Sequence, residues 1–189
     1  MRLGIAHHLG WAVAVTATAD HVVVDRRRIE LIEPGLPAAP VHHEGGPHEL
    51  HRTGPPLTDD ELAALVAEVR AATTRVTATS LDELSASLPD PITSISLRAW
   101  PADFPTDIAA QRRAPHESRA DSIMYLQILA DAARERGWAV HHYDATSVEA
   151  AASELLGDRA DDVLFGPKAT LGAPWNKDHR AALAATVVV

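Results

Sequence analysis

The chain contains no cysteine. This excludes a disulfide framework and any thiolate metal site, and leaves His, Asp and Glu as the strong metal ligands it could use. No apolar run approaches the ~20 residues of a membrane-spanning helix. The opening Met1-Arg2-Leu3-Gly4-Ile5 is also too short in apolar character for a secretory signal. A cytoplasmic protein without membrane contact is the expectation. Neither the dinucleotide nor the nucleoside-triphosphate glycine loop occurs. No serine sits in a Gly-x-Ser-x-Gly turn, which argues against an esterase-like hydrolase. Basic side chains are outnumbered, 17 Lys and Arg against 26 Asp and Glu, for a net charge of −9. That charge repels a phosphate backbone at long range and disfavours nucleic acid as a partner, without excluding local contact.

What remains is an ordinary globular composition, 46% apolar and 23% charged over 189 residues, suited to one domain spanning 1–189. Leu3 to Ile5 and Trp11 to Thr16 read as one bent strand or two close ones, with the bend around His7, His8 and Gly10. His21 to Val24 and Arg28 to Ile32 follow as further strand segments, with Arg26-Arg27-Arg28 at a solvated strand end. From 33 to 57, ten prolines and glycines predict a long loop without regular structure.

Thr58-Asp59-Asp60-Glu61 has capping-box spacing and predicts the start of a long amphipathic helix that Pro89-Asp90-Pro91 ends. Ile92 to Leu97 reads as a strand, and Trp100 to Pro115 as a second irregular stretch. Ser118 is the expected N-cap of a helix to about Arg136, with Asp121 as a favourable first-turn charge and Gly137 past its end. Trp138 to Tyr143 is the next strand. Thr146-Ser147-Val148-Glu149 has the spacing of a second capping box, for a helix stopping near Gly157. A short helical piece at Asp161 to Phe165 and a closing helix from Asn176 to about Val187 complete the chain.

Leu3-Gly4-Ile5-Ala6 followed by Gly10-Trp11-Ala12-Val13 resembles the opening of Holliday-junction resolvases of the ribonuclease H-like superfamily. The element order resembles that superfamily over most of the chain. The resemblance implies an α/β fold with a mixed sheet of about five strands, β1-β2-β3 antiparallel and then α-β-α-β-α, flanked by helices. It also implies four carboxylates holding two divalent cations for phosphodiester cleavage. Carried over position by position, the first-strand acid falls on Ala6 and the fourth-strand acid on Leu97 and Arg98. The closing pair falls on Asp178 and Ala181, so Asp178 is the one acid that remains. Three further stretches, around Arg26 to Leu31, Arg119 to Tyr125 and Pro174 to Arg180, resemble a group of bacterial proteins without an assigned activity.

Three constellations carry chemistry. Val41 to His51 holds four imidazoles and two carboxylates, ligand types suited to zinc, nickel, copper or iron. A solvated loop, adventitious metal binding and a functional site are all open readings of it. His7 and His8 follow the first strand, and alternation would point one to each side of the sheet. Either could join a loop histidine such as His42 or His43, with Asp178 or His179, in a mononuclear divalent-metal site; a buried structural histidine beside an exposed one is the plainer account. Arg98, Trp100 and Asp103 lie where the fourth strand leaves the sheet, a place where ligands bind in open α/β folds. There Arg98 could grip a carboxylate or phosphate beside the walls of Trp100 and Phe104. The plainer account is a core-sealing loop.

The leading expectation is a catalytically degenerate ribonuclease H-like domain acting as a binding or assembly module, its ligand and partner unspecified. The alternative is a metal-dependent hydrolase or nuclease using His7, His8, His42, His43 and Asp178. The apolar run Ala182 to Val189 leaves open a homo-oligomer, or simple packing of the last helix.

Overall fold

Side-chain alternation along the first two strands decides how the layers form. In the computed structural model, which describes residues 1–45 and 54–189, β1 (Arg2–His7) and β2 (Trp11–Ala17) pair antiparallel in a hairpin. Gly10 makes the turn at φ +84°, in the left-handed region that favours glycine. β2 pairs antiparallel with β3 (Val23–Glu30). On its other side β1 pairs parallel with β4 (Ser94–Arg98), and β4 in turn with β5 (Ala139–Tyr143). The order β3-β2-β1-β4-β5 is the mixed five-strand sheet expected of a ribonuclease H-like α/β domain.

Helices cover both faces. Leu3, Ile5, Ala12 and Ala14 face a core shared with α1 (Asp59–Ala86) and α3 (Glu117–Glu135). Val13, Val15 and Ala17 face a second core, shared with α4 (Val148–Leu156) and α7 (Lys177–Val187). Short helices α2 (Ile108–Gln111), α5 (Ala160–Leu164) and α6 (Pro167–Leu171) fill the connections. α7 rests directly on β1: a Cβ built at Gly4 would lie 1.8 Å from the Ala182 carbonyl oxygen. Ala182, Leu183, Ala184, Ala185 and Val187 are buried in that packing, which accounts for most of the apolar carboxyl-terminal run. No helix among the described residues is long and apolar enough to cross a membrane.

Several local expectations hold and others need correction. α1 opens with the anticipated capping box, Glu61 N donating to Thr58 Oγ1 at 3.3 Å and Thr58 N to Glu61 Oε2 at 2.9 Å. The third segment of the sheet is one strand rather than two. His21 takes a positive φ of 68° in the preceding turn, and Arg26 to Arg28 lie within β3, at the sheet edge. Within the 33–57 loop, Pro40–Gly45 forms a π-helical turn; His48 and His51 lie outside the described residues. Ser118 is inside α3 and does not cap it. The preceding turn, with Glu117 N donating to Arg113 O at 3.1 Å, runs into the helix, and His116 takes the cap position in a helical conformation. The second capping box does not form either. Thr146 N and Oγ1 both donate to Asp144 Oδ1 at 2.8 Å, and this acid organises the turn before α4.

Candidate functional site at the end of the parallel strands

β1, β4 and β5 run parallel and end together, so the side chains at their carboxyl ends meet at one edge. His7 lies in register with Leu3 and Ile5, on the α3 side, and shares a 2.7 Å hydrogen bond with Ser122 Oγ. His8, one residue on, turns the other way and donates from Nε2 to Asp178 Oδ2 on α7 at 3.1 Å. The alternation expected from sequence is observed. Burial, reinforced by Arg98 and His8, lowers the His7 pKa to about 4 and keeps its ring neutral near pH 7. His8 stacks on Trp11 with ring centroids 4.0 Å apart, and the Arg28 guanidinium lies 4.1 Å from the same indole. The buried Tyr143 hydroxyl donates to Ile5 O at 2.7 Å, and burial raises its pKa to about 12.

Arg98 and Trp100 line a cleft of about 170 Å³ together with Ser118, Arg119 and Ser122. Trp100 is fixed edge-on against His142, with centroids 4.7 Å apart. Asp103 is exposed and does not line this cleft, and Phe104 packs elsewhere, against His116. The structure therefore joins two of the three residues expected there and adds Arg119, Ser118 and Ser122 from α3. The helical spacing Ser118, Arg119, Ser122 is the signal that could have found them, because residues four apart share a face.

His42 and His43 sit in the π-helical turn, on the other side of α3 from this edge. His42 Nδ1 contacts the Glu117 carboxylate. Asp121, one turn further along α3, accepts from the backbone N–H groups of Val41 at 3.0 Å and His42 at 2.9 Å. Asp121 is 3% exposed, and burial raises its pKa to about 6 against the opposing pull of those two amides. It is thus a buried tether for the turn, where the sequence suggested a first-turn charge complementing the helix dipole. His179 is used in the cap of α7 through Asn176.

The histidines anticipated as metal ligands fall into separate places, His7 and His8 at the strand ends and His42 and His43 on the far side of α3. Among the described residues, no group of three or more His, Asp or Glu side chains could hold a metal ion. The edge does not fit the pair of cations that the sequence resemblance implies. Ala6, Leu97 and Ala181 supply no ligand, Arg98 brings a positive charge, and Asp178 is engaged by His8. His8 with Asp178 is the pair that retains ligand character.

Among solved structures, the chain is similar to T. thermophilus RuvC in complex with Holliday junction substrate. The TM-score is 0.47 and the identity 15%, covering 99% of this chain and 90% of that one. No family model matches the chain, and no curated protein matches it.

Proposed function

We propose that this domain is a catalytically degenerate ribonuclease H-like binding module and does not cleave nucleic acid by two-metal chemistry. The observation that carries this reading is the makeup of the parallel-strand edge. Two cations need several carboxylates to offset their charge and place the attacking and leaving oxygens. Here the one carboxylate at the expected positions, Asp178, is hydrogen-bonded to His8, and a guanidinium stands at the end of β4. The test is incubation of the purified protein with single-stranded, duplex and four-way-junction DNA and with RNA, in magnesium and in manganese. No cleavage above buffer is expected. Cleavage that Asp178→Ala abolishes would overturn the reading.

The His8 and Asp178 pair favours one second reading, a mononuclear metal-dependent hydrolase. Two protein ligands fall short of the three that catalytic zinc sites ordinarily use. Elemental mass spectrometry of untagged, exhaustively dialysed protein separates the two readings. About one equivalent of a transition metal, lost in both His8→Ala and Asp178→Ala, would establish the second.

A further inference from the structure

We propose that the cleft between the end of β4 and the first turns of α3 binds the phosphate group of a small molecule, gripped by Arg98 and Arg119 and by the hydroxyls of Ser118 and Ser122. This deepens the binding-module reading, on which it rests, by naming the class of ligand.

The donors converge from two independent elements. Arg98 ends β4, while Ser118, Arg119 and Ser122 occupy neighbouring positions near the start of α3. Neither guanidinium makes a hydrogen bond or ion pair with any described residue, whereas Arg27, Arg28, Arg75, Arg112, Arg134, Arg136 and Arg180 all pair with acids. No carboxylate lines the cleft. The acids nearest on α3, Glu117 and Asp121, are buried toward the π-helical turn. Asp144, exposed and close enough to Arg98 to feel its charge, lies outside the cleft and turns Oδ1 to Thr146.

The geometry favours phosphate over a planar carboxylate. A single arginine fork can already pair with both oxygens of a carboxylate in its plane. Two forks and two hydroxyls suit three terminal oxygens carrying about two charges. Ser122 can take part when His7 is in the tautomer protonated at Nε2, which donates to its oxygen and leaves the hydroxyl proton for the ligand. The volume of about 170 Å³ far exceeds the ~15 Å³ that seats one water, and the Trp100 indole offers a flat wall to whatever carries the phosphate. A net charge of −9 repels a long polyanion while leaving short-range capture of a small anion intact. That selects a small phosphate ester over a nucleic-acid strand.

The test is a titration with inorganic phosphate at constant ionic strength. It is followed by amide chemical shifts and by calorimetry on the wild type, Arg98→Ala, Arg119→Ala and a control, Arg28→Ala. Arg98 and Arg119 are exposed, so their truncation leaves the fold intact, which thermal melts verify. Saturable binding with a Kd of about 1 mM or below is expected, centred on 118–122. It should weaken about tenfold in each cleft variant and be unchanged in the control. Absence of saturation by ~10 mM phosphate, or equal loss in Arg28→Ala, overturns the proposal. A second arm compares a short oligonucleotide with and without a terminal phosphate. Binding that grows with strand length regardless of that phosphate overturns the small-molecule assignment. Loss of the phosphate site in a protein that still cleaves nothing would remove this inference and leave the binding-module reading standing, whereas nucleic-acid cleavage would remove that reading directly.

Discussion

Asp121→Asn separates the charge of a buried tether from its shape. In the wild type, the Asp121 carboxylate accepts from Val41 N and His42 N, with Glu117 one turn behind it on α3 and His42 facing it from the π-helical turn. Its folded-state pKa is raised from 3.8 to about 6, first by burial. The folded protein therefore binds the proton more tightly than the unfolded chain. This group's contribution is most favourable below pH ~4 and is lost as pH rises through ~6, a change of about 3 kcal/mol. Asparagine keeps the shape, offers one acceptor where the carboxylate offers two, and cannot ionise. It should carry a pH-independent penalty of about 1–3 kcal/mol for the amide left unpaired. The informative quantity is the stability of the variant minus that of the wild type, from urea unfolding at intervals between pH 4 and 8. That difference should climb by about 3 kcal/mol between pH 4 and 7 and then level off. Subtraction removes titrations common to both proteins. A flat difference, or one that falls with pH, would refute burial as the dominant influence on this carboxyl.

His7 should remain neutral in an imidazole NMR titration down to about pH 4, and Arg98→Ala should move its midpoint upward, because Arg98 at the end of β4 and His8 just past β1 add to the effect of burial, with the neutral Ser122 beside the ring. The stability linked to His7 has the opposite slope to that of Asp121: it is full above pH ~6.5 and falls by about 3 kcal/mol on acidification to pH ~4. Gly4→Ala should lower the unfolding free energy by about 3 kcal/mol or more. The new methyl would meet the Ala182 carbonyl at 1.8 Å, where neither backbone can yield without moving α7; an unchanged denaturation midpoint would show that α7 does not rest on β1 as described. Arg112→Lys should cost about 2 kcal/mol in the same assay. A single ammonium cannot reproduce the guanidinium contacts to Gly45 O at 3.0 Å, Leu57 O at 2.7 Å and the Asp59 carboxylate.

The fold was largely legible because its signals are local. Thr58 with Glu61, Asn176 before α7, the proline stop after α1 and the apolar strand runs each specify an element within a few residues. The boundaries that shifted did so where a distant or non-repeating contact won. Asp144 holds Thr146 in the turn before α4, so Thr146 does not cap that helix, and the Arg113 carbonyl feeds the start of α3. The site was less legible for the same reason. Histidines close in sequence, or alike in chemistry, suggested one cluster, but strand alternation and the body of α3 keep them apart. The partner that explains Asp121 lies 80 residues away in the chain, in a turn that proline and glycine content made look structureless. Arg119 did carry a readable signal. The residues three and four positions to either side of it are His116, Pro115, Ser122 and Ile123, so no acid could pair with it along the helix.

That arginine, unpaired among the described residues, bears on the charge at the edge of the sheet. In a two-metal nuclease the ends of the parallel strands concentrate negative charge, and the protein tolerates it because cations neutralise it. Here Ala6, two residues after the Gly4 on which α7 presses, supplies no carboxylate, and Arg98 ends the neighbouring strand. Of the acids near this edge, Asp178 pairs with His8 and Asp144 accepts from Thr146, while the two arginines of the cleft have no hydrogen-bond or ion-pair partner among the described residues. An incoming anion would pair with these exposed guanidiniums, whereas a divalent cation would meet their like charge. The absent carboxylate ligands and the two cleft arginines thus support the same proposal, that this edge holds a small anion rather than a pair of cations.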